Sequence, residues 1–77
     1  MGFSYNKSII IGNNIKQIRI QNDLKQKDIY NVLKISSSNY SAYETGKVLI
    51  STKVIYKIAK KRQISNFIYL FVNSLKG

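Results

Sequence analysis

The chain of 77 residues contains no cysteine, no histidine and no proline. Without cysteine it can form neither a disulfide nor a thiolate metal site, and without histidine it lacks the commonest metal ligand and general base. Acidic residues are scarce too, since Asp23, Asp28 and Glu44 are the only three. We therefore expect that the chain is not an enzyme and that it binds no metal and no cofactor.

Long apolar runs are also missing. The longest, residues 9–11 and 67–72, are far shorter than the ~18 residues that a membrane span needs. No segment resembles a targeting signal, so we expect a cytoplasmic protein associated with the nucleoid. Without proline and with only four glycines, the chain has no obvious linker. We predict one domain over residues 8–77 after a flexible N-terminal tail over residues 1–7.

Positive charge is what the chain has in excess. Thirteen lysines and arginines against three acidic residues give a formal net charge of +10. Such a field concentrates polyanions around a protein. Double-stranded DNA is therefore the first candidate partner, and an anionic membrane surface is the second.

Apolar residues recur at helical spacing, and no run alternates with the period of a strand over more than a few residues. This pattern predicts an all-α fold with five helices. The expected helices cover residues 8–21, 25–33 and 36–46, then a fourth from residue 51 or 52 and a fifth over residues 66–75. Serines, which are good N-caps, stand at four of these starts: Ser8, Ser36, Ser51 and Ser65.

Residues 25–45 have the pattern of a helix-turn-helix, in which two short helices are joined by a turn of about three or four residues. Gln26 places a hydrogen-bonding group at the start of the first helix, where it meets the DNA backbone. The residues spaced to close the two helices together are Ile29, Leu33, Ile35, Tyr40 and Tyr43. Small polar residues that can reach base edges begin the second helix: Ser36, Ser37, Ser38, Asn39 and Ser41.

At these positions the chain resembles the Cro and phage-repressor helix-turn-helix family, also called XRE-type, over about residues 11–70. The matching residues up to the start of the third helix are Ile11, Gly12, Ile15, Arg19, Leu24, Gln26, Ile29, Leu33, Ile35 and Ser36. Those after it are Tyr43-Glu44-Thr45-Gly46-Lys47, Ile58-Ala59 and Ile64-Ser65. The resemblance implies a compact five-helix lambda-repressor-like domain.

The chain departs from the family pattern at two positions. Tyr30 stands where the family has alanine. Because its ring is much larger than a methyl group, the ring must either point to the surface or push the two helices apart. Lys34 stands where the family has glycine. The family has glycine there because the turn often takes a left-handed backbone conformation. A non-glycine residue in that conformation costs roughly 1 kcal/mol.

The resemblance also implies roles for individual residues. Arg19 and Glu44 would form a partly buried pair, with Arg19 also leaning toward a phosphate, and Gln26 would contact phosphate and a base. The residues that would face base edges are Ser37, Ser38 and Ala42. Those that would contact phosphates are Ser36, Asn39, Thr45 and Lys47, with Lys25, Lys27 and Lys53 adding to them.

A simpler interpretation stands beside each of these roles. The serine cluster can be no more than a helix start, and any single lysine can be a solvated charge. The cationic stripe of the fourth helix can touch flanking DNA, but it is more typical of a solvated face; it comprises Lys53, Lys57, Lys60, Lys61 and Arg62. Tyr40 and Tyr43 can stack on bases, although their spacing opposite the serines favours the core.

The last helix is apolar over much of its circumference, which is typical of a helix with two packing partners. One partner would be the domain's own core and the other a second subunit, so we predict a homodimer. The expected interface residues are Ile64, Ile68, Tyr69, Val72 and Leu75.

These observations predict a sequence-specific transcriptional regulator, a repressor that binds a near-palindromic operator as a dimer. The alternative is an antitoxin or other protein-interaction module on a helix-turn-helix scaffold, with a toxin or antirepressor as partner. A cationic protein of the membrane surface ranks third, because it leaves the pattern of residues 26–47 without a role. We expect no membrane partner.

Overall fold

The computed structural model describes residues 7–75, with side chains as far as Asn73. The described chain contains five helices and no strand, as predicted for an all-α domain. They are α1 (Lys7–Gln21), α2 (Gln26–Leu33), α3 (Ser37–Thr45), α4 (Thr52–Arg62) and α5 (Ser65–Leu75). Residues 1–6 of the predicted tail lie outside the described part, whereas Lys7 is already the first residue of α1. The tail prediction is therefore wrong at residue 7.

Capping residues explain where three of the helices begin. The Ser36 hydroxyl accepts a hydrogen bond from the Asn39 amide at 3.1 Å, and the Ser51 hydroxyl accepts one from the Val54 amide at 3.3 Å, as expected of N-caps. At the start of α2 the backbone amide of Lys25 donates to the carboxylate of Asp28 at 2.7 Å. This arrangement resembles half of a capping box.

The other two predicted caps are wrong. Ser8 is the second residue of α1, and its hydroxyl donates to the Gly46 carbonyl at 2.8 Å. Ser65 is the first helical residue of α5, one position earlier than predicted, and Ile64 precedes the helix. The periodicity of apolar residues cannot resolve shifts of one residue at a helix end.

The hydrophobic core takes residues from every helix and from the loop before α4. Ile15, Ile29, Tyr40, Ile58 and Phe67 are each completely buried. Because these side chains interlock, α1 packs on α3, α2 packs on α3 and α4, and α4 packs on α5. The core thus holds α3 from behind and leaves its other face open.

Two glycines allow α1 and the end of α3 to approach closely. A Cβ atom at Gly12 would overlap the carbonyl oxygen of Tyr43 and lie 2.9 Å from that of Glu44. Gly46 ends α3 in the left-handed region with φ 82°, and a Cβ atom there would lie 2.6 Å from the Cα of Ile9. Side chains at either position would force the two helices apart.

The turn of the helix-turn-helix is formed without glycine. Lys34 has φ 58° and ψ 43°, so the left-handed conformation implied by the family resemblance is present despite the lysine. Tyr30 is half-buried at the edge of the core, with its ring centroid 6.5 Å from that of Tyr40. Neither departure from the family pattern separates α2 from α3.

Arg62 attaches the end of α4 to α2. Its Nη2 atom donates to the carbonyl oxygen of Asp28 at 2.9 Å and lies 3.8 Å from the Asp28 carboxylate. The sequence grouped Arg62 with the solvated lysine stripe of α4. That grouping is wrong for Arg62, because its half-buried side chain joins two helices.

Candidate nucleic-acid interface

One face of α3 is polar and open to solvent. Ser37 and Ser38 are exposed, and Ser41 and Ala42 are half-buried. With Gln26, Thr45 and Lys47 they line an open concavity of about 450 Å³. The structure thus brings together seven of the twelve residues predicted to bind DNA.

Helical spacing produces this face. Residues 37, 38, 41, 42 and 45 follow one side of α3, while Tyr40 and Glu44 on the opposite side are buried. Tyr43 is half-buried and also packs against the core. The expectation that Tyr40 and Tyr43 serve the core is therefore confirmed.

The side chains on the outer face of α3 are short and project little from the helix. Serine and alanine add little to the radius of a helix, and the major groove of B-DNA, about 12 Å wide, admits an α-helix with its side chains. Serine hydroxyls can donate to or accept from several base edges, whereas Ala42 can only contact a thymine methyl group. A surface of this width can enter the major groove, and its side chains offer few contacts that distinguish one base from another.

The remaining predicted contacts flank the concavity. Lys25 and Lys27 are exposed at the start of α2, and Ser36 and Asn39 are exposed at the start of α3. The Ser36 oxygen already accepts from the Asn39 amide, but its proton is free to be donated to a phosphate. The four residues therefore remain accessible to a backbone that runs beside α3.

Thr45 is less available than predicted. Its hydroxyl oxygen lies 3.0 Å from the Ser41 carbonyl and 3.4 Å from the Ala42 carbonyl, so it donates back into its own helix. A phosphate oxygen is also an acceptor. A phosphate contact would therefore require Thr45 to give up this internal bond.

Behind the polar face, the carboxylate of Glu44 near the end of α3 also binds side chains of α1 and of the start of α2. Arg19 donates from Nε to Glu44 Oε2 at 2.6 Å and from Nη2 to Oε1 at 3.2 Å. Gln26 Nε2 donates to the same Oε1 at 3.0 Å, and Arg19 Nη1 donates to the Leu24 carbonyl at 2.9 Å. The side chains of Arg19 and Glu44 are only 12% and 3% exposed. The predicted ion pair is confirmed.

This arrangement limits what Arg19 and Gln26 can offer to DNA. The guanidinium of Arg19 already binds Glu44 and the Leu24 carbonyl. Gln26 retains its amide oxygen and one N–H for a base or a phosphate. The link between Gln26 and Glu44 was missed in the sequence, because 18 residues separate them and no local pattern pairs them.

The charges in this network are fixed near neutral pH. Burial alone would raise the pKa of Glu44, but Arg19, the neighbouring Tyr40 hydroxyl and Gln26 outweigh it and hold that pKa below its ordinary value of 4.5. The hydrogen bond to Glu44 raises the pKa of Arg19. Burial, reinforced by Glu44, raises the pKa of Tyr40 above its ordinary value of 10.0. Carboxylate, guanidinium and neutral phenol are therefore the forms present.

The residues predicted for the dimer differ in their exposure. Ile64 is half-buried against the core. Ile68 and Val72 line a groove shared with α4, whereas Tyr69, 69% exposed, lies in a concavity shared with α1. The side chain of Leu75 lies outside the described residues. Ile68, Tyr69 and Val72 are thus exposed neighbours on one face of α5, with a concavity on either side of it.

Comparison with known proteins agrees with this geometry. The family model described as "Helix-turn-helix domain" matches residues 12–71, which include all of α2, the turn and α3. The chain is a helix-turn-helix domain. Its architecture and motif are of the XRE/Cro kind that the sequence resembles.

One relative of this helix-turn-helix domain is Antitoxin PezA from Streptococcus pneumoniae serotype 4 (strain ATCC BAA-334 / TIGR4). It is 38% identical over 56 residues, which cover 73% of this chain and 35% of the relative. The chain therefore spans about a third of the length of the curated relative that it matches. No solved structure matches the chain.

Two properties of this helix-turn-helix domain hold for its described part, residues 7–75. None of its helices is long and apolar enough to cross a membrane. Within residues 7–75 no group of three or more acidic side chains comes together as a metal site would require.

Proposed function

We propose that this helix-turn-helix domain is a sequence-specific DNA-binding regulator, a repressor in the cytoplasm whose α3 enters the major groove. The single observation that carries the proposal is the outward polar face of α3 within a helix-turn-helix that matches its family. Ser37, Ser38, Ser41 and Ala42 would face base edges, and Gln26 would dock α2. The high positive charge would supply most of the affinity through contacts with phosphates.

Two copies would bind a near-palindromic site. In this arrangement the α3 helices lie in successive major grooves about 34 Å apart, and the part of α5 around Tyr69 contacts the second copy. Tyr69 is the most exposed of the predicted interface residues, so we place it at the centre of the contact. Light scattering of Tyr69→Glu against the unchanged chain tests this, because a dimer should become a monomer.

A gel shift against DNA upstream of the protein's own coding sequence tests DNA binding. Ser38→Glu puts a negative charge on the outer face of α3 and should abolish the shifted band. Lys16→Glu, an exposed change on α1 with a larger effect on net charge, should weaken binding far less. Equal loss in both variants would mean that charge alone attracts DNA, and α3 would have no special role.

Salt dependence distinguishes phosphate contacts from other forces. If each contact releases counterions, log Kobs falls with log[salt] at a slope of about −0.9 per phosphate contact. Lys47→Gln should reduce that slope by roughly one contact, since Lys47 stands at the rim of the concavity. An unchanged slope would remove Lys47 from the interface.

The second candidate function is that of an antitoxin, and the similarity to Antitoxin PezA favours it. In that case this domain would also bind a protein partner. Co-expression with the product of the neighbouring gene, followed by size-exclusion chromatography, tests the candidate. A stable complex in which Ser38→Glu has no effect would separate protein binding from DNA binding.

A further inference from the structure

An apolar groove lies between α4 and α5, away from the polar face of α3. Its volume is about 350 Å³, and its residues are Tyr56, Ala59, Lys60, Gln63, Ile68, Phe71 and Val72. The rings of Tyr56 and Phe71 pack 5.0 Å apart, and Tyr56, Ile68 and Val72 are each 42% to 47% exposed. Apolar side chains grouped in a concave surface mark an interaction site more often than scattered ones do.

The exposed face of α4 beside the groove is cationic, and Lys60 is the lysine of that face that lines the groove itself. Lys53, Tyr56, Lys57 and Lys60 lie at positions i, i+3, i+4 and i+7 of α4, so they share one face. All four are exposed, and Lys60 Nζ lies 6.0 Å from the centre of the Tyr56 ring. A partner seated on the apolar residues would therefore have ammonium groups along one edge.

The chain has no acidic residue near this groove to balance that edge. Helices α4 and α5 contain none. Glu44 is held by Arg19, Asp28 lies beside Arg62, and Asp23 stands in the turn after α1. A second copy seated on the groove through the same two helices would bring further lysines and no carboxylate, so it offers no charge complementary to that edge.

The shape of the groove also bears on its occupant. Apolar residues recessed between two helices suit a rod with an apolar stripe, as in helix-in-groove recognition. A lipid surface is instead penetrated by side chains that project outward from a helix face. DNA phosphates are charged and would make no favourable contact with the apolar residues of the groove.

We propose that the α4–α5 groove binds an acidic amphipathic helix of a partner protein. The apolar stripe of that helix would cover Tyr56, Ile68 and Val72, and its carboxylates would face Lys53 and Lys60. This inference goes beyond DNA binding and does not depend on it. It gives the second candidate function a surface and a partner chemistry.

A designed peptide probe tests the groove on the full chain. The probe is a fluorescein-labelled helical peptide with leucine at i, i+3, i+4 and i+7 and glutamate at the flanking positions. Fluorescence anisotropy is measured at roughly physiological ionic strength, where exposed charges further apart than about 8 Å are largely screened. Lys53→Glu with Lys60→Glu should weaken binding at least ~10-fold, which is about 1.4 kcal/mol.

A matched control keeps the same net charge. Lys16→Glu with Lys47→Glu changes two exposed lysines that do not line the groove, and we expect a loss below ~3-fold from general electrostatics. The same peptide with lysine in place of glutamate should bind the groove variant better than the unchanged chain. Ile68→Ser tests the apolar part and should weaken the glutamate peptide without loss of helical circular dichroism.

Several results would overturn the proposal. An equal loss of peptide affinity in the groove pair and the control pair would mean that net charge alone accounts for peptide binding. Retained binding by Ile68→Ser would remove the apolar groove from the interaction. Dissociation of a dimer caused by Ile68→Ser in light scattering would identify a second copy as the occupant. A membrane would be the occupant if the unchanged chain floats with phosphatidylserine vesicles, the groove variants do not, and the peptide does not bind.

The gel shift keeps this inference separate from the proposed function. Lys53→Glu with Lys60→Glu removes positive charge and one expected phosphate contact, so the shifted band should weaken but persist if α3 carries groove recognition. Ser38→Glu should still bind the peptide. Failure of the peptide experiment leaves DNA binding intact, and failure of the gel shift leaves the α4–α5 groove intact.

Discussion

Arg19 donates its Nε hydrogen to Glu44 at 2.6 Å, and this single contact fixes the end of α1 against the end of α3. Gln26 at the start of α2 joins the same carboxylate. Three of the five helices therefore meet at one buried charge. The Glu44 carboxylate therefore links the end of α3 to α1 and to the start of α2, in addition to the apolar packing of Tyr40.

Glu44→Gln should destabilise the fold by about 2 to 4 kcal/mol, because it leaves the buried guanidinium of Arg19 without its counter-charge. Urea unfolding followed by circular dichroism measures the effect. Asp23→Asn is the control, since Asp23 is an exposed acid whose change should stay within about 0.5 kcal/mol. A similar small change for Glu44→Gln would show that the pair contributes no more than a surface ion pair does.

The stability of the domain should fall in acid because of Glu44. Its pKa in the folded chain lies below the ordinary 4.5. The contribution of this group is therefore complete above about pH 4.5 and is lost as the pH falls through the folded pKa. Unfolding free energies of the unchanged chain and of Glu44→Gln should converge as the pH decreases below that value. Parallel curves would contradict the assignment.

Tyr40 should impose a limit on the alkaline side. Burial raises its pKa above 10.0, so the folded chain holds the phenol proton more tightly than the unfolded chain does. Its contribution is complete below pH 10.0 and decreases as the pH rises further. Tyr40→Phe should unfold later than the unchanged chain in an alkaline titration. Identical midpoints would mean that other tyrosines control alkaline unfolding.

Gly12→Ala should destabilise the domain by more than about 2 kcal/mol, because its methyl group would overlap the backbone of α3. Asn13→Ala is the matched control, since this neighbouring position is exposed and alanine is a better helix former there. Thermal unfolding should therefore move in opposite directions for the two variants. A stable Gly12→Ala chain would show that α1 and α3 can separate without penalty.

Lys34→Gly should stabilise the domain by roughly 0.5 to 1 kcal/mol, because glycine adopts the left-handed conformation of the turn without steric cost. Lys61→Gly is the control within α4, where the same exchange should lower stability by about 1 kcal/mol. If both substitutions destabilise, the conformation at Lys34 is supported by contacts of the lysine itself.

Much of this fold could be predicted from the sequence, and the reason is local. The apolar spacing around Ile15, Ile29 and Ile58 marks buried helix faces, and Ser36 and Gly46 mark helix ends, because these signals act over a few residues. The Arg19–Glu44 pair was reached only through the family resemblance. No local rule joins residues 25 positions apart.

What escaped prediction depends on tertiary placement. Ser8 looked like an N-cap, but α1 begins one residue earlier, and its hydroxyl is used by Gly46. Arg62 looked like one cation of a stripe, yet the packing of α4 on α2 brings it to Asp28. The division of the α5 residues between two concavities likewise depends on where α1 and α4 lie.

The two sides of α3 have separate tasks. Tyr40 and Glu44 face inward and hold the helix in place, while residues 37, 38, 41 and 42 carry small side chains that contribute little to the core. Exchanging those four side chains should therefore leave the thermal midpoint nearly unchanged. Under the proposed DNA-binding function, base preference could therefore be changed at these four positions while the interior of the domain stays the same.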